Sequence, residues 1–183
     1  MTEQASTAKT TWAIDNSHSH IQFKIKHLMI STVTGSFNKF NATVETQNED
    51  FGKASIQFSA DVASIHTGDA QRDGHLLSAD FFDAEKYPTI SFRSTGLEED
   101  ASGNYLLNGD LEIKGEIKPI QLKVSFEGIA KDPWGNTKAG FNLEGSISRK
   151  DWGLTWNAPL EAGGFLVSDE VKINCEVQLM KQS

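Results

Sequence analysis

The sequence predicts an all-β protein: about eight antiparallel strands curled into one closed layer, with a short helical or loop insertion near residues 70–86. Three observations carry this. Segment after segment alternates apolar and polar residues, the period of two of a half-buried strand. No amphipathic helical stretches lie between those segments, so the apolar face must be buried against itself, as a sandwich or a barrel. Strand number and length suit the barrel, and one-sided alternation excludes the doubly covered parallel sheet of α/β proteins. At 183 residues the chain reads as a single domain over 11–183 behind a disordered polar tail at 1–10.

The elements follow in order. Trp12 to Asp15 opens an extended run that Ser19 to Lys26 continues, with Ile21, Phe23 and Ile25 on one face. In Val33 to Glu45 the phase changes: Val33, Gly35 and Phe37 share one parity, Phe40, Ala42 and Val44 the other. A β-bulge near Asn38-Lys39 would reconcile them and bend the strand toward closure. Ala54, Ile56, Phe58, Ala60 and Val62 form the next apolar row. The stretch from Arg72 to Phe92 then breaks the series. Its charges and bulky apolar residues cluster as on a short helix or wide loop, and Pro88 stops a helix and turns Tyr87 toward extended geometry. It reads as a lid or corner over one end of the sheet. Ile90 and Phe92 resume alternation, and the acidic, glycine-containing run Glu98 to Asn104 is a solvated turn. Three further inner rows follow: Leu107, Gly109, Leu111 and Ile113; Ile120, Leu122, Val124 and Phe126; Ala139, Phe141, Leu143, Gly145 and Ile147. Lys114-Gly115-Glu116 and Asp132-Pro133-Trp134-Gly135-Asn136 are the turns between them. Lys150 to Ser168, containing Gly163-Gly164, is an irregular connection, and Val171, Ile173, Cys175, Val177 and Leu179 close the sheet.

Composition narrows the partners. A net charge of −8 argues against nucleic acid as a partner, since phosphate binding needs a concentrated positive surface, and disfavours electrostatic docking on anionic membranes. No apolar run approaches the ~20 residues of a membrane helix, so stable insertion is not expected. The polar start lacks the apolar core of a signal peptide, so a cytoplasmic location is expected, or a periplasmic one if a leader has been removed. The lone Cys175 falls in phase with apolar neighbours and is expected to be a buried thiol.

What the sheet encloses decides the function. Along the inner rows, large residues alternate with small ones such as Ala42, Ala54, Ala60, Gly109, Ala139 and Gly145. Either the small residues receive the large ones across a solid core, or they leave an apolar tunnel. From pattern alone both readings stand. A tunnel ligand would have to be mostly hydrocarbon, because unpaired polar groups are costly there.

Candidate chemistry is sparse. His18 and His20, two apart, would project from one strand face as half a zinc site, but no Cys or acidic cluster sits at ligand spacing, so no metal is expected. Arg72, Asp73 and His75 offer acid–base groups without a nucleophile elbow or phosphate loop beside them. A structural polar network or a ligand head-group contact is the expected role. Trp134, Trp152 and Trp156 are expected to anchor long loops, with a sugar-stacking platform as the alternative.

Several blocks in order resemble the YceI-like family of lipocalin-like, polyisoprenoid-binding proteins. They are Ile14-Asp15 with His18-Ser19, Ile21, Phe23 and His27; Val33, Gly35, Phe37 and Phe40; Arg72-Asp73, His75-Leu76, Ser78 and Asp80-Phe81-Phe82-Asp83 with Tyr87-Pro88 and Ile90-Ser91-Phe92; Asp132-Pro133-Trp134-Gly135, Gly140-Phe141, Arg149, Asp151 and Gly153; and Val167-Ser168-Asp169 with Val171 and Ile173. The resemblance implies an extended, lipocalin-like antiparallel barrel holding a polyisoprenoid, an isoprenoid quinone or a fatty-acid derivative in an apolar tunnel. It also implies a homodimer, no cofactor and no catalysis. With a tunnel in place, the lining expected from parity is Phe23, Ile25, Phe37, Val44, Ile56, Phe58, Phe92, Leu111, Leu122, Val124, Phe141 and Ile173, with Arg72, Asp73 and His75 at the head group or lid. Two other readings remain: a lipid hydrolase or isomerase using His75 with Asp73 or Asp80, and a solid-cored interaction module.

Overall fold

The computed structural model describes residues 8–161 and 164–182; Gly163 and residues 1–7 of the expected tail lie outside the described residues. The strands are β1 (Lys9–Ile14), β2 (His20–His27), β3 (Ser31–Phe37), β4 (Phe40–Gln47), β5 (Asp50–Asp61), β6 (Ile65–His66), β7 (Thr89–Glu99), β8 (Tyr105–Ile113), β9 (Glu116–Lys131), β10 (Thr137–Ser148) and β11 (Val167–Lys181). One helix, α1 (Ala70–Leu77), lies between β6 and β7. The strands form one sheet in the order β1-β4-β5-β7-β8-β9-β10-β11-β2-β3-β6, and β1 also pairs with β11, which closes it.

Strand pairing reduces this to an eight-rung barrel. β11 pairs with β1 through Trp12↔Lys181 to Ile14↔Leu179, and with β2 through Ile21↔Cys175 to His27↔Val167. β1 and β2 are therefore one rung, interrupted by the 3-10 turn Asn16–His18. β3 and β4 make a second rung broken at Asn38-Lys39, and β5 and β6 a third broken by the 3-10 turn Val62–Ser64. The rungs run up and down, each antiparallel to the next, as one-sided alternation requires.

Two sequence expectations change here. The phase change at Asn38-Lys39 is a break with Phe37 and Phe40 both buried, not a one-residue bulge in a continuous strand. The flanking rungs break at the same level, so three neighbours kink together, and Asn38 N donates to Ser64 O at 3.2 Å while Lys39 O accepts from Asp61 N at 2.9 Å. The ordered barrel also begins earlier than residue 11: Lys9 and Thr10 pair with Gln47 and Thr46.

Local chemistry explains the turns. Lys114 and Gly115 both have positive φ, 54° and 77°, the signature of a type I′ hairpin, whose twist matches the strands it joins. At the β1–β2 break, Asp15 Oδ1 accepts from Ser17 N at 3.1 Å, and Asp15 Oδ2 pairs with Lys138 Nζ at 2.6 Å. Asp69 caps α1 by accepting from Gln71 N and Arg72 N.

The two ends of the barrel differ. One is floored by aromatic rings: Trp12 against Phe51 at 5.0 Å, Phe51 against Phe141 at 4.9 Å, and Phe126 against Phe141 at 5.2 Å. Trp12 Nε1 donates to the buried Thr46 hydroxyl at 3.1 Å, which satisfies the indole. The other end carries α1 and the turns that follow it, together with the connection between β10 and β11. The expected lid is in place there.

Candidate functional site

Within the barrel lies a cavity of about 410 Å³, in the ~300–1,000 Å³ range of small-molecule sites. It extends from Phe51 and Phe141 at the floor to Phe81, Phe82 and Trp156 beneath the lid. All twelve lining residues expected from strand parity border it. Phe23, Ile25, Ile56, Phe58 and Ile173 face inward yet are only half-buried, because the void itself leaves part of their surface open.

The small inner residues divide into two groups. A Cβ on Gly35 would stand 2.2 Å from the Phe23 ring, one on Gly109 2.3 Å from the Phe92 ring, and one on Gly145 2.4 Å from a Leu122 methyl. These glycines are already filled by their neighbours, as a solid core would have it. Ala42, Ala54 and Ala60 instead border the cavity. Jigsaw packing and tunnel therefore coexist, and the alanines leave the open volume.

Polar residues border the cavity mainly at the lid end: His27, Thr67, Arg72, His75 and Arg149, with Lys26 at its rim on the outward parity of β2. The three residues singled out in the lid separate. Arg72 borders the cavity, its Nε donating to Thr67 Oγ1 at 2.8 Å and its Nη2 to Thr67 O at 2.6 Å. His75 borders it too, Nε2 at 2.9 Å from Asp80 Oδ2, its ring edge-on to Trp156 at 4.7 Å and Phe81 at 5.1 Å. Asp73 does not line the cavity. Its Oδ1 accepts from Thr67 N at 2.9 Å and from Thr67 Oγ1, so it pins the segment that positions Arg72.

A YceI-like domain profile matches residues 12–179 of this chain. The chain belongs to the YceI-like family. A UPF0312 protein of Staphylococcus aureus strain N315 is 34% identical over 170 residues, covering 92% of this chain and 96% of the relative. The crystal structure of Burkholderia cenocepacia BcnA superposes with a TM-score of 0.76 at 25% identity, over 90% of this chain and 98% of that one. A polyisoprenoid-binding domain from Saccharophagus degradans superposes with a TM-score of 0.66 at 15% identity, over 93% and 98%, a likeness of fold.

Several residues of this YceI-like tunnel escape sequence reasoning. Phe51 sits at the start of β5, three residues before Ala54 and thus out of parity with the row that Ala54 begins. Phe81, Phe82 and Trp156 come from irregular segments where alternation carries no signal. Arg149 is 3% exposed. Its guanidinium donates to the carbonyls of Ser168 at 2.9 Å, Trp156 at 2.9 Å, Leu154 and Val167, and burial lowers its pKa. It ties the connection that carries Trp156 over the cavity. The sequence marked Arg149 only as a member of a family-like block, with nothing in the local pattern to give its role.

Other expectations resolve simply. Cys175 is buried and lines the cavity, and desolvation pushes its thiol pKa up to about 11. His18 lies in the 3-10 turn and its Nδ1 meets Asp15 Oδ2 at 2.9 Å, so His18 and His20 do not share a strand face. The reason is the strand break that Asp15 caps. Among the described residues, no three His, Cys, Asp or Glu gather as a metal site. Trp152 anchors its loop, donating from Nε1 to Leu111 O at 2.9 Å, whereas Trp134 is 83% exposed on its turn and anchors nothing.

Proposed function

We propose that this YceI-like protein binds a long-chain amphiphile in its tunnel, carrying, storing or sequestering it without turning it over. The ligand class is a polyisoprenoid, an isoprenoid quinone or a fatty-acid derivative. The observation that carries the reading is a cavity running from aromatic floor to lid with an almost wholly hydrocarbon lining, Tyr105 lying toward the floor and the charged groups at the lid end. Burial stabilises such a chain by ~0.8 kcal/mol per CH₂, so about ten carbons gain several kcal/mol after ordering costs. Arg72 and His75 sit where a polar head group would emerge. The fold likeness to a polyisoprenoid-binding domain agrees with this ligand class.

The alternative of lipid hydrolysis draws on the His75–Asp80 contact. The nearby Ser78 hydroxyl donates to the His75 carbonyl rather than to its ring, so it is not poised as a nucleophile. Organic extraction of the purified protein, with mass spectrometry against a mock purification, separates the readings. A stoichiometric isoprenoid or fatty chain, recovered unchanged after incubation, is the expected result. Stoichiometric conversion of added lipid to products would replace binding with catalysis.

A further inference from the structure

We propose that the lid end of the barrel docks on the surface of a lipid bilayer bearing anionic head groups, with the β2–β3 hairpin tip entering it. The tip is the turn His27–Ile30, closed by Ile30 N donating to His27 O at 3.2 Å. Its two central residues, Leu28 and Met29, have φ of 55° and 60°. Those positions of a type I′ turn favour Asn and Gly, because a Cβ crowds the backbone at positive φ. Here they hold large apolar side chains that the turn does not bury. Met29 is 70% exposed, Ile30 83% and Leu28 37%, and Phe165 adds a neighbouring apolar face at 60%. Leu28 N donates to Leu166 O at 2.8 Å, which joins the tip to the Phe165 segment. Lys26, His27 and Leu166 all border the tunnel, so the apolar tip stands at its lid end.

Charge selects the occupant. Lys24 and Lys26 are exposed on β2 just behind the tip, and Lys172 on β11 stands directly opposite Lys24. Among the described residues, no carboxylate lies within ion-pair distance of these three, as holds for seven other lysines; what distinguishes them is their cluster directly behind the apolar tip. Of the acidic residues at the start of β11, Asp169 is engaged by Arg149 and Lys150, and Glu170 remains. An apolar prong backed by unpaired lysines matches the acyl boundary and phosphate layer of an anionic bilayer. The rest of the lid end is acidic, with Asp69 exposed at the cap of α1 and Asp80 and Glu85 on the turns after it, so contact with an anionic surface is confined to the hairpin tip and the lysines behind it. Docking rests on these exposed residues alone; its use, passage of the ligand between bilayer and tunnel without crossing water, rests on the binding function proposed above.

The test is flotation of the full chain with phosphatidylcholine vesicles, with or without phosphatidylglycerol. Wild type should bind, more tightly to the anionic vesicles and less so as salt rises. The double variant Leu28→Asn/Met29→Gly gives the turn its favoured residues, so its thermal stability should be equal or higher. Its vesicle affinity should fall about tenfold or more. Lys24→Gln/Lys26→Gln should weaken the preference for anionic vesicles. Wild type that ignores both vesicle types, or a double variant that binds as wild type does, overturns the proposal. So does a wild-type dimer that ignores vesicles and that the double variant splits, which would make the tip an interface between copies. Binding of a polyprenol by the delipidated protein in solution is scored separately. Its loss with vesicle docking intact would overturn the tunnel function and leave the docking standing.

Discussion

Gly109 and Ala54 show what a single methyl decides in this barrel. A Cβ on Gly109 would also lie 2.6 Å from the Arg93 carbonyl oxygen, a backbone atom that cannot rotate away. Gly109→Ala should therefore cost about 1–3 kcal/mol, read as a shift in the denaturant midpoint. Ala54 faces open cavity, so Ala54→Phe should be tolerated while the volume for ligand shrinks. Asp15 makes a different test. Its hydrogen bond to Lys138 first, then those to Ser17 and His18, hold its carboxyl well below the usual carboxylate range against the cost of burial. A depressed pKa in the folded state contributes stability that is complete above the unfolded value near ~4 and is lost as pH falls through the folded value. Asp15→Asn should thus destabilise by about 2 kcal/mol at pH 7 and by much less at pH 2, measured by thermal unfolding at both.

At the scale of elements, the proposed binding function assigns exchange of ligand to the lid. Trp156 packs on His75 and on Phe81, at ring distances of 4.7 and 5.3 Å, and borders the cavity beneath them. Trp156→Ala should speed ligand release several-fold while leaving the barrel's melting nearly intact, as followed by transfer of a fluorescent prenyl analogue to vesicles. The strands were legible because a one-sided sheet writes its burial as period two, which is why every expected lining residue from Phe23 to Ile173 faces the cavity. The lid was legible only as an interruption. Its contacts depend on where Phe81 and Trp156, 75 positions apart in the chain, meet in space, and no local period encodes that. The break at Asn16–His18 was hidden for a related reason. Asp15 is set there by Lys138, 123 residues away, and an extended reading of His18 and His20 ignored that pull.

For the whole molecule, closure through the β1–β11 pairing removes two sheet edges and encloses the void. Fold class followed from the missing helical cover, but the choice between solid core and tunnel did not, because glycine and alanine look alike in an alternating row. Only the register, which sets Phe23 opposite Gly35, tells a filled notch from an open one. The dimer implied by the family resemblance would be read from sedimentation. The account stands most directly on whether the tunnel takes a lipid chain. The decisive measurement is titration of delipidated protein with a polyprenol or isoprenoid quinone, following quenching of its tryptophans, for wild type and Ala54→Phe together. Saturable binding by wild type at one ligand per chain, weakened by the filled tunnel at unchanged stability, is the predicted result. No binding by wild type, or equal binding by both proteins, would contradict it.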